Sequence, residues 1–147
     1  MTIAAADLDV AARLRLAVTR LARRLRQESG EGLTPSQTSA LASIERHGAL
    51  TPSELATIER IQRPSATRVL GALSERNLIA READASDRRV SRLKVTREGA
   101  AVLKRGRSRK NAYLARRMRD LDADELDTLA RAAELIERLL EEDDERR

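Results

Sequence analysis

LTPSQTSALASIERHGALTPSELATIERIQRPSATRVLGALSERNLIAREADASDRRVSRLKVTREG, residues 33–99 of a 147-residue chain, is the stretch on which the architecture turns. Thr34-Pro35-Ser36-Gln37 and Thr51-Pro52-Ser53-Glu54 write the same helix start twice. In each, a Thr hydroxyl caps, a Pro occupies the first turn where its missing N–H costs nothing, and a Gln or Glu reaches back to the capping residue. The first of these helices runs to about His47 and ends at Gly48; the second is short, with Leu55, Ile58 and Ile61 as its apolar side. Pro64 opens a third helical pattern in which Ala66, Val69, Leu70 and Leu73 share one face. Pro64, Arg68, Gly71 and Glu75 stand opposite, flanked by Ser65 and Thr67, so the outward face is small and polar with one Arg. Asn77 suits the left-handed conformation that ends a helix, and residues 78–81 and 90–95 read as two short strands around a polar tip at 82–89.

Upstream, residues 8–28 place Leu14, Val18, Leu21 and Leu25 on one helical stripe, with Arg13, Arg20, Arg23 and Arg24 on other faces, before SGEG at 29–32 breaks the pattern. Downstream, Thr96 caps a long helix whose residues 104–111, KRGRSRKN, contain no apolar side chain. That portion is expected to cross open solvent or to lie against a polyanion. Asp122-Ala123-Asp124-Glu125 is a further capping signal, and Leu126, Leu129, Ala133, Ile136 and Leu140 follow at the spacing of a packing seam.

Composition narrows the function. Phe, Trp and Cys are absent and Tyr113 is the only aromatic residue, which removes disulfides, thiolate catalysis, Cys-ligated zinc and base-stacking platforms together. With one histidine, His47, and no Gly-rich phosphate loop, only carboxylates and serines remain as catalysts and none is paired in an evident site, so the chain reads as a non-enzyme without metal or cofactor. The net charge of +5 hides a steep asymmetry: residues 13–26 carry six Arg and no acid, residues 104–119 eight basic groups and no acid, and residues 120–147 twelve acids against four Arg. Such basic stretches lean toward a polyanionic partner, although abundant Arg with only three Lys also follows from genomic base composition. No run approaches the about 18 apolar residues of a membrane span, and acids stand where a secretory leader needs cations, so a cytoplasmic location is expected.

Two short helices, a helix with a polar outer face and a charged hairpin follow the order of a winged helix-turn-helix. The residues themselves resemble the MarR family of bacterial transcriptional regulators. The marks are Leu33-Thr34, Gln37, Gly48, Thr51, Glu54-Leu55-Ala56, Thr67-Arg68, Leu78-Ile79, Asp84, Asp87-Arg88-Arg89 and the closing 96–99, in order over residues 33–99. The resemblance implies a mainly α chain with a small β-hairpin wing, one domain over 1–147 with a DNA-binding lobe at 33–99 and dimerisation helices at 8–28 and 100–142. It also implies a homodimer that reads a pseudo-palindromic operator on double-stranded DNA as a repressor. The seams Leu14, Val18, Leu21, Leu25 and Leu126, Leu129, Ala133, Ile136, Leu140 fit such a dimer independently, since a small lobe can hardly use them all.

Within that frame Arg63 and Pro64 stand at the start of the recognition helix, where an Arg can reach a phosphate, and Arg68 points to base edges, where Arg on guanine is the commonest specific contact. Ser65 and Thr67 are short donors for phosphate or base edges. At the wing the resemblance sends Arg89 into a narrowed minor groove, with Asp87 holding its geometry and Arg88 beside it. Two positions depart from the family pattern: Asn77 replaces the usual Gly, and Gly71 sits mid-helix on the outer face. Relatives bind small aromatic or anionic effectors between the helical stem and the lobe, and the arginines of the first helix could answer an anion. A protein that coats DNA without sequence preference, using the same arginines on phosphates, is the alternative from another class; the missing aromatics disfavour single-stranded RNA.

Overall fold

The computed structural model describes the backbone of residues 4–145 and the side chains of residues 4–141. Its order is α1 (Ala5–Glu28), α2 (Pro35–His47), α3 (Pro52–Glu59), α4 (Arg63–Glu75), β1 (Ile79–Ala83), β2 (Ser91–Val95), α5 (Arg97–Arg117) and α6 (Ala123–Glu145). Two compact units result: Met1–Asn111, with α1 to β2 and most of α5, and Ala112–Arg147, with the end of α5 and α6.

The duplicated start signals act as read. Thr34 and Thr51 each accept the backbone N–H three residues on, at 3.2 and 3.1 Å, while Gln37 and Glu54 accept the N–H of the capping Thr at 3.0 and 2.9 Å. Asp122 and Glu125 exchange the same pair of bonds before α6. Gly48 and Asn77 end their helices with φ of 82° and 57°. Helix α3 ends at Arg60, which takes φ 53°, a left-handed conformation that a long side chain rarely adopts. Here the helix is shorter than its apolar pattern: Leu55 and Ala56 are buried, Ile58 is exposed and Ile61 lies beyond the helix end.

The strands pair antiparallel from Ile79 opposite Val95 to Ala83 opposite Ser91, one or two residues toward the tip from the stretch expected at 78–81. Leu50 adds a rung beside Leu93, exchanging N–H···O bonds of 3.0 and 2.7 Å, which fixes the hairpin to the loop between α2 and α3. The core behind these elements gathers Leu41 and Ile44 of α2, Leu55 of α3, Leu70 and Leu73 of α4, Leu78 and Leu93, all fully buried. Each such side chain stabilises the lobe by about 1.5–3 kcal/mol relative to exposure. Helix α5 closes the lobe with Val102 and Leu103. Its Gly99 is obligatory, because a Cβ there would lie 2.1 Å from the carbonyl oxygen of Leu78.

The terminal helices differ. No residue of α1 is buried, and Leu14, Val18 and Leu21 are 40–44% exposed with Leu25 half-buried. In α6 no described side chain is buried; Leu126, Leu129, Ala133 and Leu140 are exposed and Ile136 is half-buried. No helix among the described residues is long and apolar enough to cross a membrane.

Candidate nucleic-acid interface

Helices α2 and α3 hold α4 as a docked outer element. The hydroxyls of Ser39 and Ser43 on α2 both donate to the Glu59 carboxylate on α3, the first at 2.6 Å, and tie the two short helices together. Ala66, Leu70 and Leu73 anchor α4 inward. Arg63, Pro64, Thr67, Arg68 and Gly71 are therefore turned to solvent, while Ser65 is half-buried at the edge of that face. Arg63 is the first helical residue, preceded by Gln62, which offers no side-chain cap. Neither Arg63 nor Arg68 has a hydrogen-bond or ion-pair partner among the described residues. A Cβ added to Gly71 would meet nothing within 4 Å, so no contact inside the chain requires glycine there.

Arg60, in the tight turn between α3 and α4, adds an exposed cation three residues before Arg63. The sequence reading missed it, since nothing in an Arg announces a left-handed turn.

At the wing, Asp87 holds Arg89 through three bonds: its Oδ1 accepts the Arg89 backbone N–H at 3.0 Å and Nε at 3.1 Å, and Oδ2 accepts a terminal nitrogen at 3.3 Å. These bonds, the guanidinium first, lower the pKa of Asp87 below its ordinary value. The Arg89 side chain remains 91% exposed, a guanidinium held by Asp87 along one edge and open to solvent along the other. Arg88 is exposed without a partner among the described residues. Asp84 builds the turn beneath: its Oδ1 accepts from the Ser86 N–H at 2.8 Å, the Ser86 hydroxyl at 2.5 Å and the Asp87 N–H at 3.3 Å, and its Oδ2 accepts from Arg92. Ser86 and then Arg92 hold its carboxyl far below the usual carboxylate range. These side-chain partners of Asp84 lay outside the sequence reading.

The KRGRSRKN stretch stays on the surface as expected, with six of its eight residues exposed, but its arginines have partners that the sequence did not reveal, because Glu31 and Glu45 receive them. Arg105 pairs with Glu31 at 3.3 Å and Glu98 at 3.2 Å, Arg109 with Glu31 at 2.7 Å, and Arg107 with Glu45 at 2.9 Å. Glu31, its side chain only 11% exposed, is the hub. Its backbone carbonyl also accepts from Arg76 at the end of α4, at 3.0 Å. An acid 74 residues away supplies what the local composition lacked.

Beside this hub lies a cavity of about 150 Å³ walled by Leu33, Ala42, Val102 and Leu103 and edged by Arg107 and Lys110. A shallower groove of about 240 Å³ adjoins it at Ser29, Leu33, Thr38 and Lys110 and adds Arg23 and Arg26 of α1. No aromatic side chain lines either.

Comparison with known proteins bears directly on this geometry. The MarR family model matches residues 33–91. An HTH-type transcriptional regulator of Mycobacterium leprae is 38% identical over 137 residues, covering 92% of this chain and 96% of the relative. The HTH-type transcriptional repressor MdtR of Bacillus subtilis is 34% identical over 96 residues, 65% of this chain and 62% of MdtR. Among solved structures, a putative transcriptional regulator of Pseudomonas aeruginosa superposes with a TM-score of 0.83 at 36% identity, covering 94% of this chain and 99% of its own. These relatives are transcriptional regulators rather than enzymes. With a winged lobe that offers a polar helix face and an arginine-tipped hairpin, the chain belongs to the MarR family of DNA-binding transcriptional regulators.

Proposed function

We propose that the chain acts as a homodimeric repressor reading a pseudo-palindromic site on duplex DNA. The observation that carries this reading is the outer face of α4, where Arg63, Pro64, Thr67 and Arg68 stand exposed over a sealed inner face of Ala66, Leu70 and Leu73. Laid in a major groove, this face brings Arg68 to a guanine edge and Thr67 and Ser65 to nearby base or phosphate oxygens. Arg63 faces the phosphate at the helix entry, where unpaired N–H groups and the helix dipole favour an anion, and Pro64 rests against the backbone beside it. Arg89 enters the adjacent minor groove with Asp87 holding its root, and Arg88 supports it from the rim.

Residues 33–99 form the reading lobe, and the segments 8–28 and 100–142 form the dimer. A second copy covers the seams Leu14, Val18, Leu21, Leu25 and Leu126, Leu129, Ala133, Ile136, Leu140, exposed except for the half-buried Leu25 and Ile136, since apolar area of this extent on two long helices is costly in water. Two-fold symmetry then sets the two α4 helices about 34–36 Å apart, one turn of DNA. Occupying a promoter in this way excludes polymerase, and MdtR, a relative at 34% identity, is named a repressor. The aliphatic cavity with its edge of Arg107 and Lys110, and Arg23 and Arg26 in the adjoining groove, suits a small organic anion as the releasing effector.

Footprinting on the intergenic DNA beside the gene, with random duplex as competitor, tests this reading. A protected palindrome that resists random competitor is expected. Equal affinity for both DNAs would contradict operator reading and favour a coating protein.

A further inference from the structure

We propose that Arg92 is a positioning residue for DNA binding: it locks the wing onto the start of α3 so that Arg89 meets the duplex already ordered. This inference rests on the reading of Arg89 as a minor-groove contact. The strand register places Arg92 opposite Glu82, yet its guanidinium pairs elsewhere. Its Nε donates to Asp84 Oδ2 at 2.5 Å, and a terminal nitrogen donates to Glu54 Oε2 at 3.2 Å. That same Glu54 oxygen accepts the Thr51 N–H at 2.9 Å, so Arg92 grips the first turn of α3 through a carboxylate that is itself fixed. On the other side Asp84, with a side chain only 12% exposed, folds the tip through Ser86 and Asp87, and Asp87 holds Arg89. An unbroken run of hydrogen-bonded groups thus joins the helix-turn-helix to the tip of the wing.

The physical need for such a lock is plain. A two-stranded ribbon is marginal by itself, and a tip that became ordered only on DNA would lose affinity to that ordering. Arg suits the task because its planar fork serves two carboxylates at once, which the point charge of a lysine cannot. With Glu54 and Asp84 both against it, the charge of Arg92 is already satisfied within the protein, and Lys94, its neighbour on the strand, pairs with Glu82 at 3.6 Å instead.

The test uses the full chain and a duplex that the wild type selects from a random pool, rebuilt with A·T-rich or G·C-rich flanks. Arg92→Lys keeps the charge and loses the fork. It should weaken binding to the A·T-flanked duplex about tenfold, the weight of one lost charge-assisted hydrogen bond, and erase the preference between flanks. In an Arg89→Ala background the same substitution should change affinity less than about twofold, because both variants remove one coupled contribution. In the free chain, hydrogen exchange at the amides of Ser86, Asp87 and Val90 should quicken about tenfold, as expected when local opening loses one such bond. Glu54→Gln, which preserves the cap of α3, should shift the flank preference in the same direction.

Full rescue by Lys would make Arg92 a simple phosphate-facing charge and overturn the proposal. A loss undiminished in the Arg89→Ala background, unchanged amide exchange, or an unmoved flank preference in Glu54→Gln would each overturn it as well. If Arg89→Ala alone binds both duplexes like the wild type, the minor-groove reading falls and takes the proposal with it, a result distinguishable because that arm leaves Arg92 intact.

Discussion

The winged lobe and the two terminal helices meet the problem of burial in opposite ways. Every apolar side chain that the described residues bury lies between Ala40 and Leu103. Helices α1 and α6, with 24 and 23 residues, bury no described side chain, although each carries a seam of leucines. The lobe, closed by Val102 and Leu103 of α5, buries its own core because its short helices are capped locally and converge on one cluster around Leu41, Leu70 and Leu93. An amphipathic helix owes most of its stability to what covers its apolar face. Under the proposed function this difference divides the work: the lobe supplies the reading surface, and a second copy over the terminal helices sets two such surfaces at a fixed spacing.

The largest expected effect breaks the helices and spares the lobe. Leu129→Asp with Ile136→Asp would place uncompensated charges at the centre of the α6 seam and should abolish both dimer and operator binding. The chain should stay partly helical, and sedimentation, circular dichroism and DNA titration together check this.

Next, Gly99→Ala attacks the lobe alone. Its Cβ would collide with the Leu78 carbonyl oxygen, and the backbone shift should cost about 1–3 kcal/mol in denaturant unfolding. Arg68→Ala leaves both regions folded and should cost about 1–3 kcal/mol on the preferred duplex while relaxing selectivity. A uniform loss over all sequences would instead make Arg68 a phosphate contact.

The smallest effect is the most discriminating about the outer face of α4. Gly71→Ala meets no atom within 4 Å in the chain, so it should stabilise the free protein by about 1 kcal/mol. Weakened DNA binding in that stabilised variant would show that the backbone comes close to the duplex at Gly71. Unchanged binding would make the glycine incidental.

What was legible in the sequence was local. The reciprocal caps at Thr34, Thr51 and Asp122 and the left-handed ends at Gly48 and Asn77 depend on residues within one turn, and all of them formed. The inner face of α4 was legible from its period, since Ala66, Leu70 and Leu73 are buried as expected. Contacts distant in sequence were not legible. The lack of apolar side chains at 104–111 placed that run on the surface, but says nothing of Glu31 and Glu45, brought to its arginines by the fold. Glu54 was visible as a cap and Asp84 as a family mark, but no spacing rule joins them through Arg92 across 38 and 8 residues. Arg60 escaped for a different reason: its left-handed backbone is imposed by the turn that must carry α3 into α4.

The claim that the lobe is complete and the terminal helices are not is tested most directly by melting the full chain across about a hundredfold range of protein concentration. If a second copy covers the terminal helices, mass action requires the melting temperature of the helical signal to rise by several degrees with concentration. A melting temperature that stays constant over that range, with the helical signal intact at the lowest concentration, would contradict the account and place the seams of α1 and α6 within a self-sufficient monomer.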